Sequence, residues 1–297
     1  MRLKLAKRVG FCFGVRRAVE MAEEVLKTEG KAYSLGSIIH NKQVVGDLSG
    51  KGLKVIKSVS EADSGVLVIS SHGISPDLAG EISKRSLKLV DTTCPFVRNA
   101  QSSARSLGNE GYTVIIVGDV NHPEVEALYD FAGDKAHVVR DASGLKALKL
   151  KPGSRIGVLS QTTQSMDNFL GVVKAIIDGK PKDLRVFNTI CKDAEKRQAA
   201  ARDISRTVDL MLVVGGKNSA NTRRLLEVCK KILRRSYLIE TQSDLKSQWF
   251  KDVSVVGITS GASTPDNIVR RVAKAVKSSA INAEKKGRLQ RVHDKRE

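Results

Sequence analysis

The sequence predicts an α/β fold built from parallel sheets, and three observations support this class. Short runs rich in Val and Ile alternate with segments of helical periodicity along most of the 297 residues. Each such run is followed by ten or more helix-like residues, the runs being GVLVISS, TVIIVGD, RIGVLSQ, DLMLVVGG and VSVVGITS. Apolar residues make up 41% of the chain, which is enough for real cores. At this length we expect two or three domains.

Clusters of small polar residues stand where these strands end. They read SSHG (70–73), GDVNHPE (118–124), SQTT (160–163), GGKNSAN (215–221) and TSGAST (259–264). Any one cluster is most simply explained as a helix N-cap, because Ser, Thr and Asn satisfy the first free amides of a helix. In open parallel sheets, however, ligands bind beyond the carboxyl ends of the strands. Five clusters in the same topological position therefore favour a ligand site.

Three of the four cysteines occupy matching places in this pattern. Cys12, Cys94 and Cys191 each follow a basic, Val-containing strand-like segment, and each precedes a helix-like one. A thiol at a helix N-terminus is stabilised as thiolate by the dipole and the free amides. The spacings, 94 minus 12 or 82 and 191 minus 94 or 97, match the size of a small α/β domain. Three lobes can thus contribute one thiolate each, whereas Cys229 shares an apolar helical stripe with Leu225 and is predicted to be core.

Three converging thiolates suit a soft metal centre, either an iron–sulfur cluster or zinc. A closed structural zinc site uses four ligands and usually closer pairs of cysteines. A [4Fe-4S] cluster normally takes four cysteines, so three leave one iron open to substrate. Two enzymatic hypotheses remain at this point: an iron–sulfur enzyme and a zinc-dependent hydrolase.

The charge of the chain raises a third, non-enzymatic hypothesis. Lys and Arg exceed Asp and Glu by 51 minus 32, a net charge of +19, which favours acidic partners and raises the question of a basic nucleic-acid-binding protein. Aromatic residues are only 4% of the chain and no nucleic-acid-binding motif is present, so we do not expect nucleic acid as the partner. No apolar run approaches the ~18 residues of a membrane span. Scattered cysteines and the lack of a signal-peptide cleavage site favour the cytoplasm.

Nine motifs, in order, carry a specific resemblance over roughly residues 1–280. They are GFCFGVRRAVE, HNKQVV, SSHG, DTTCPFV, NHPEVE, SQTT, TICKDAEKRQ, VVGGKNSANTRRL and TSGASTPD. Together they resemble the 4-hydroxy-3-methylbut-2-enyl diphosphate reductases, the terminal iron–sulfur enzymes of the methylerythritol phosphate route to isoprenoids. The resemblance implies three small α/β lobes arranged pseudo-symmetrically around a central cluster. It also implies reductive dehydroxylation of the allylic alcohol to isopentenyl and dimethylallyl diphosphates.

The same resemblance implies roles for individual residues. Cys12, Cys94 and Cys191 match the ligands of one [4Fe-4S] cluster with one open iron, and Glu124 and Thr162 match the proton-delivery pair. Six further residues match diphosphate-binding positions: His40, His72, His122, Ser219, Asn221 and Ser263. Neutral hydroxyl, amide and imidazole donors suit that role. An acidic electron donor of the ferredoxin or flavodoxin type is expected from the basic charge.

The sequence also predicts the boundaries of the lobes and shows two departures from the family pattern. We predict a first lobe over 1–95, a second over 96–192, a third over 193–281 and a basic, solvated tail over 282–297. Ala194 stands where family members commonly carry a hydroxyl residue, and Ala220 where a second serine is common. Each substitution is expected to remove one polar contact to the ligand.

Overall fold

The computed structural model describes residues 1–148, 150–151 and 153–278, and its strands are short and parallel. The predicted α/β class is confirmed. The strands are β1 (Arg2–Leu5), β2 (Ala32–Leu35), β3 (Leu53–Ile56), β4 (Ser64–Ile69), β5 (Ser86–Asp91), β6 (Thr113–Val117), β7 (Ala136–Val139), β8 (Arg155–Ser160), β9 (Asp183–Val186), β10 (Leu210–Val214), β11 (Ser236–Ile239) and β12 (Val255–Ser260).

Helices follow most strands, as the periodicity predicts. They are α1 (Phe13–Glu29), α2 (Lys42–Gly50), α3 (Pro76–Ser83), α4 (Pro95–Asn109), α5 (Pro123–Ala132), α6 (Ala142–Ala147), α7 (Met166–Asp178), α8 (Lys192–Ser205) and α9 (Ala220–Lys230), and residues 266–278 are also helical. Short 3-10 turns lie at Val59–Glu61, Gln242–Asp244 and Ser247–Phe250. In α4, for example, Val97, Ala100, Ala104 and Leu107 recur at helical spacing and are all buried.

The strands form three four-stranded sheets with the same order. The first lobe has the order β3-β2-β4-β5, the second β7-β6-β8-β9 and the third β11-β10-β12-β1. The first strand of a lobe (β2, β6 or β10) pairs with both the second (β3, β7 or β11) and the third (β4, β8 or β12). The edge strand (β5, β9 or β1) pairs with the third. Three lobes built on parallel sheets are therefore present, as predicted.

The edge strand of the third lobe comes from the N-terminus, which corrects the predicted extent of the first lobe. Residues 1–95 were expected to form one lobe, but β1 pairs with β12, from Arg2 against Val255 to Leu5 against Ile258. A four-residue strand carries no local mark of the sheet it joins, because parallel pairing links segments far apart in sequence. The boundaries near 95 and 192 stay predictions, and the tail at 282–297 lies outside the described residues.

Apolar layers pack on both faces of the sheets. In the second lobe, one core cluster places α4 and α5 on the sheet around Leu107 and Leu128, and another places α7 on the opposite face around Phe169 and Val172. Each fully buried side chain of this size contributes roughly 1.5–3 kcal/mol relative to exposure. Polar chemistry is thereby confined to the ends of the strands.

The chain separates into two compact units. One unit joins residues 1–11 with the chain from Lys196 onward, and the other is Cys12–Glu195. The first two sheets lie in the second of these units, and the third sheet lies in the other. Among the described residues, no helix is both long and apolar enough to cross a bilayer.

Candidate active site

The predicted polar site residues follow the same two strands in every lobe. These are the two central strands, between which the strand order reverses, and such a switch point is where open α/β sheets bind ligands. The residues after the first strand of a lobe are His40 (β2), His122 and Glu124 (β6), and Ser219 and Asn221 (β10), and those after the third strand are His72 (β4), Thr162 (β8) and Ser263 (β12).

The three predicted cluster cysteines follow the edge strand of each lobe. Cys12 comes after β1, Cys94 after β5 and Cys191 after β9, and each is followed at once by a helix. Position in the lobe is therefore equivalent for all three. The correspondence for Cys12 depends on β1 being the edge strand of the third sheet.

Within Cys12–Glu195, the sulfur atoms lie at helix starts and receive backbone contacts. The Val15 N–H donates to Cys12 Sγ at 3.4 Å, and the Ala194 N–H donates to Cys191 Sγ at 3.2 Å. Gly14 brings α1 against Cys94, because a Cβ on Gly14 would lie 2.6 Å from the Cys94 sulfur. Cys12 is also close enough to Cys191 to act on its ionisation. None of the three forms a disulfide, and all three are only partly buried.

The acidity of these thiols differs from the expectation drawn from their helix starts. Burial raises the pKa of Cys191 to about 12, against the lowering effect of the Ala194 amide, and Cys12 nearby raises it further. Burial also raises the pKa of Cys94, against the amides of Phe96 and Val97. At Cys94 and Cys191, desolvation thus outweighs the helix dipole and favours the protonated thiol. Metal binding displaces such protons, so affinity for a metal ion rises with pH.

Three imidazoles from two lobes meet in the same unit. The rings of His40 and His72 stack with centroids 4.6 Å apart, and His122 stands edge-on to both at 5.3 and 5.1 Å. Their ligand-capable nitrogens lie within 4.8 Å of one another. Desolvation lowers the pKa of His72 well below its usual value, and the other two rings lower it further. His72 is therefore neutral at physiological pH.

A backbone hydrogen bond at His122 determines which ring nitrogen carries the proton in the neutral form. His122 caps α5, and its Nδ1 accepts from the Glu124 N–H at 3.2 Å. In a neutral ring the other nitrogen, Nε2, then carries the proton. A zinc ion at Nε2 would require the proton to move to Nδ1, where it would face the Glu124 amide. This favours an oxygen-rich anion over a metal ion at the histidine cluster.

Glu124 and Thr162 are brought into direct contact, although 38 residues separate them. The Thr162 N–H donates to Glu124 Oε1 at 2.5 Å, and the Thr162 hydroxyl donates to Oε2 at 3.0 Å. The carboxyl group is buried, and this raises the pKa of Glu124 to about 7 despite both hydrogen bonds. A pKa near neutrality lets a carboxyl group both hold and release a proton.

The same threonine connects this pair to a cysteine. The Cys191 N–H donates to the Thr162 carbonyl oxygen at 2.9 Å. Glu124 in turn raises the pKa of Cys94. The protonatable carboxyl, the threonine and the two cysteine loops therefore form one connected region within Cys12–Glu195.

The predicted binding residues of the third lobe, Ser219, Asn221 and Ser263, lie in the unit that joins residues 1–11 with the chain from Lys196 onward. Ser219 caps α9 by accepting from the Thr222 N–H at 3.3 Å. Both side-chain amide atoms of Asn221 are buried and have no hydrogen-bond partner among the described residues. Gly215 and Gly261 allow the Thr222 hydroxyl to approach, since a Cβ on either would lie within 2.8 Å of it. Ser263 is buried after β12.

Two buried glutamines near the site were not singled out from the sequence. Gln161 accepts from the Asp119 N–H at 3.2 Å, and its Nε2 has no partner among the described residues. Gln101 Nε2 is likewise buried without a partner there, and it packs against Gly73. Gln161 belongs to the SQTT cluster, which is a signal that was available. Gln101 lies in mid-helix with no local signal.

Comparison with known proteins decides the family. The family model described as LytB protein matches residues 3–277. The chain belongs to the LytB protein family. Two relatives with this likeness are named 4-hydroxy-3-methylbut-2-enyl diphosphate reductase. The one from Pelobacter propionicus is 47% identical over 272 residues, covering 92% of this chain and 96% of the relative. That from Dehalococcoides mccartyi is 43% identical over 275 residues, covering 92% and 96%.

Solved structures agree with this LytB membership. The E-1-hydroxy-2-methyl-but-2-enyl-4-diphosphate reductase of Plasmodium falciparum has a TM-score of 0.88 and 30% identity, covering 92% of this chain and 87% of that one. A structure of (E)-4-hydroxy-3-methyl-but-2-enyl diphosphate reductase has a TM-score of 0.66 and 40% identity, covering 94% and 100%. The predicted family is confirmed, and the zinc-hydrolase and nucleic-acid alternatives have no support among these LytB relatives.

One of the two departures from the LytB pattern leaves a contact in place. Ala194 is buried, and its N–H is the donor to Cys191 Sγ. Any amino acid except proline supplies that amide, so the missing hydroxyl does not remove it. Ala220 is the first residue of α9, between Ser219 and Asn221.

Proposed function

We propose that this chain reduces (E)-4-hydroxy-3-methylbut-2-enyl diphosphate to isopentenyl and dimethylallyl diphosphates. The allylic C–O bond breaks, two electrons enter, and two protons are taken up, one by the leaving oxygen to give water and one by carbon. The observation that carries the proposal is the contact between Glu124 and Thr162 beside the cysteine loops, in a chain of LytB membership. A buried carboxylic acid at this place can protonate the oxygen that leaves as water.

The donor set of the three cysteines fits an iron–sulfur cluster. The side chains are thiols at helix starts and form no disulfide, and Cys12 and Cys191 have backbone N–H groups directed at their sulfur atoms. Cys12, Cys94 and Cys191 would hold one [4Fe-4S] cluster and leave one iron without a cysteine ligand. When bound, such a cluster supplies electrons and a Lewis-acidic iron at which a hydroxyl group becomes a better leaving group.

Glu124 supplies the proton that the leaving oxygen needs. Its pKa of about 7 leaves a substantial protonated fraction at neutral pH. Thr162 holds both carboxyl oxygens, and a threonine hydroxyl both accepts and donates, so it can relay the proton. Burial of the pair excludes bulk water as a competing proton source.

The diphosphate group is bound by neutral donors. His40, His72 and His122 offer imidazole groups in a compact cluster, and the bond from the Glu124 N–H to His122 Nδ1 places the proton of the neutral ring on Nε2. Ser219, Asn221 and Ser263, which match the other diphosphate-binding positions of the family, carry hydroxyl and amide groups of the same neutral kind. The buried amide of Asn221, which lacks a partner among the described residues, is the strongest support for a ligand role there.

The electrons come from an acidic protein of the ferredoxin or flavodoxin type. The net charge of +19 supports this, because opposite charge accelerates encounter between electron-transfer partners. Cysteines that form no disulfide are consistent with a reducing compartment, which we take to be the cytoplasm.

Anaerobic purification with analysis of iron, sulfide and zinc tests the proposal. We expect a brown protein with about four irons per chain. With dithionite and a mediator as electron source, it should convert the allylic alcohol diphosphate to two isoprenoid diphosphates and water. A colourless, zinc-loaded protein, or a cluster-loaded protein without this turnover, would contradict it.

A further inference from the structure

Two exposed aromatic side chains flank the proposed cluster cysteines. Phe13 directly follows Cys12 and is 64% exposed, and Phe96 lies two residues after Cys94 and is 40% exposed. Aromatic residues are enriched where proteins bind one another. Other apolar residues of the same helices, such as Val19 in α1 and Val97 in α4, are buried, so Phe13 and Phe96 lie on the outer faces of their helices.

The two aromatic residues stand on turns that touch. Gly14 packs on the Cys94 sulfur, and the Arg17 guanidinium donates to the Thr93 carbonyl oxygen at 3.3 Å. The first turns of α1 and α4 are thereby joined next to Phe13 and Phe96. These two residues, with Arg16 and Arg98, define what we call the Phe13–Phe96 surface.

Two arginines belong to this surface. Arg16 and Arg98 are exposed, and neither α1 nor α4 has an acidic residue in its first turn. Arg98 forms an ion pair with Asp91, and Arg17 carries a further positive charge beneath the surface. Cations at a helix N-terminus are unfavourable for the helix itself, since the dipole is positive there. Such an arrangement stabilises a complex with an anionic partner instead.

Resting on the proposed function, we propose that the Phe13–Phe96 surface is the docking site of the acidic electron-carrier protein. A carrier seated there would lie beside the residues that directly follow Cys12 and Cys94 in the chain. The aromatic rings supply apolar contact, and the arginines supply attraction and orientation. A second copy of this chain is the poorer occupant, because two chains of charge +19 repel.

The test uses the anaerobically reconstituted protein and a reduced flavodoxin carrying FMN as probe. Stopped-flow absorbance follows reduction of the cluster, and titration with oxidised flavodoxin gives its affinity. The variants are the double substitution Phe13→Ala/Phe96→Ala and, separately, Arg16→Glu. Matched controls on α7 are Ile177→Ala, where the side chain is 55% exposed, and Lys174→Glu, which makes the same charge change as Arg16→Glu.

We expect both surface variants to lower the flavodoxin-driven rate and affinity by about tenfold or more, with both controls within about twofold of wild type. The salt dependence of Arg16→Glu should also be shallower. Reduction by dithionite should be unchanged in every variant. A loss shared by dithionite would mean that the residues act on the cluster, and an equal loss in Lys174→Glu would mean that total charge, not this surface, matters. Either result, or an unchanged double variant, overturns the proposal.

The failure of the proposed function is a separate result. It would appear as a wild-type cluster that is reduced by dithionite but makes no isoprenoid diphosphate. The docking measurement does not depend on that outcome, because it follows cluster reduction and flavodoxin affinity rather than product. Sedimentation of wild type and the double variant shows whether a second copy occupies the surface instead, and a dimer lost in the double variant would overturn the proposal as well.

Discussion

Cys191 and Cys229 belong to neighbouring stretches of one chain, yet their surroundings differ in every respect that matters for chemistry. Cys191 immediately precedes α8, is partly exposed and has an amide directed at its sulfur. Cys229 lies within α9, is fully buried and packs with Met211, Val213 and Leu225. The prediction that Cys229 is core is confirmed. Of these two sulfur atoms, only that of Cys191 belongs to a partly exposed residue and can reach a metal ion.

The same contrast separates two carboxyl groups on a single turn. Glu124 and Glu126 both lie in the first turn of α5, where the helix dipole favours acidic residues. Glu124 is buried and held by Thr162, whereas Glu126 is exposed. The proposed proton donor and the solvated carboxylate thus differ in their position on the helix surface, not in residue type.

The largest effect should come from the three cysteines at helix starts. Replacing Cys12, Cys94 or Cys191 by Ser should abolish turnover and lower the bound iron, because a hydroxyl group is a poor ligand for an iron–sulfur cluster. Iron and sulfide content, visible absorbance and product formation are measured together. Cys229→Ala is the control and should retain all three. A cluster retained with full activity in Cys12→Ser would contradict the assignment.

Next in size is the effect of Glu124→Gln. The amide side chain keeps the shape and both contacts to Thr162 but carries no transferable proton, so turnover should fall about 100-fold or more. Substrate affinity for the oxidised protein should stay within a small factor. Glu126→Gln, on the same turn, should behave like wild type in both assays. Near-normal turnover in Glu124→Gln would leave Glu124 with a helix-start role alone.

The pH dependence should follow the protonated form of Glu124. Above its pKa of about 7, turnover should fall about tenfold per pH unit if the carboxyl group is the proton donor. Dithionite-driven rates in buffers of constant ionic strength measure this, with Glu124→Gln as the variant that lacks the transition. A flat profile through pH 8 would exclude Glu124 as the titrating acid.

Stability should respond to the same group with a defined sign. The folded pKa of about 7 lies above the ordinary value of 4.5, so the folded state binds the extra proton between these values. The associated stabilisation is complete below pH 4.5 and is lost as pH rises through 7. Its upper limit is about 3 kcal/mol at 1.36 kcal/mol per pH unit. Urea unfolding of Glu124→Gln and wild type at pH 5 and 8 measures this. The free energy of unfolding of the variant, relative to that of wild type, should be higher at pH 8 than at pH 5.

A smaller effect is expected from the histidine cluster. Removing one imidazole donor with His122→Ala should weaken substrate binding by about tenfold, the usual worth of a hydrogen bond to a charged group. Because His122 also caps α5, His122→Asn serves as the variant that restores a cap without the imidazole Nε2. His137→Ala, outside the cluster, is the control. Equal affinity in all three variants would remove His122 from the binding site.

The smallest effect should be that of Cys229→Ala on stability. The lost sulfur leaves a small cavity in the core between α9 and the sheet of the third lobe, with a cost of about 1 kcal/mol. Chemical unfolding measures it, and iron content should not change. A cost several times larger, with loss of iron, would place Cys229 among the ligand residues and remove the contrast with Cys191.

Several features were accessible from the sequence because their causes are local. The alternation of apolar runs with helical periods predicted the α/β class, and the place of each cysteine before a helix predicted Cys12, Cys94 and Cys191 at helix starts. The buried position of Cys229 followed from its apolar stripe. The ordered motifs were sufficient for the family, because they record residue types at set spacings and need no coordinates.

Other features were decided only by the tertiary structure, because they depend on segments far apart in sequence. The strand RLKL completes the third sheet by pairing with β12, some 250 residues away. No residue type within the strand indicates which sheet it joins. His40, His72 and His122 meet only because loops of two lobes come together. Desolvation, a property of the whole surrounding protein, raises the pKa of Glu124 to about 7 and that of Cys191 to about 12. The residue types were written in the sequence, but their acidity arises from burial by the fold.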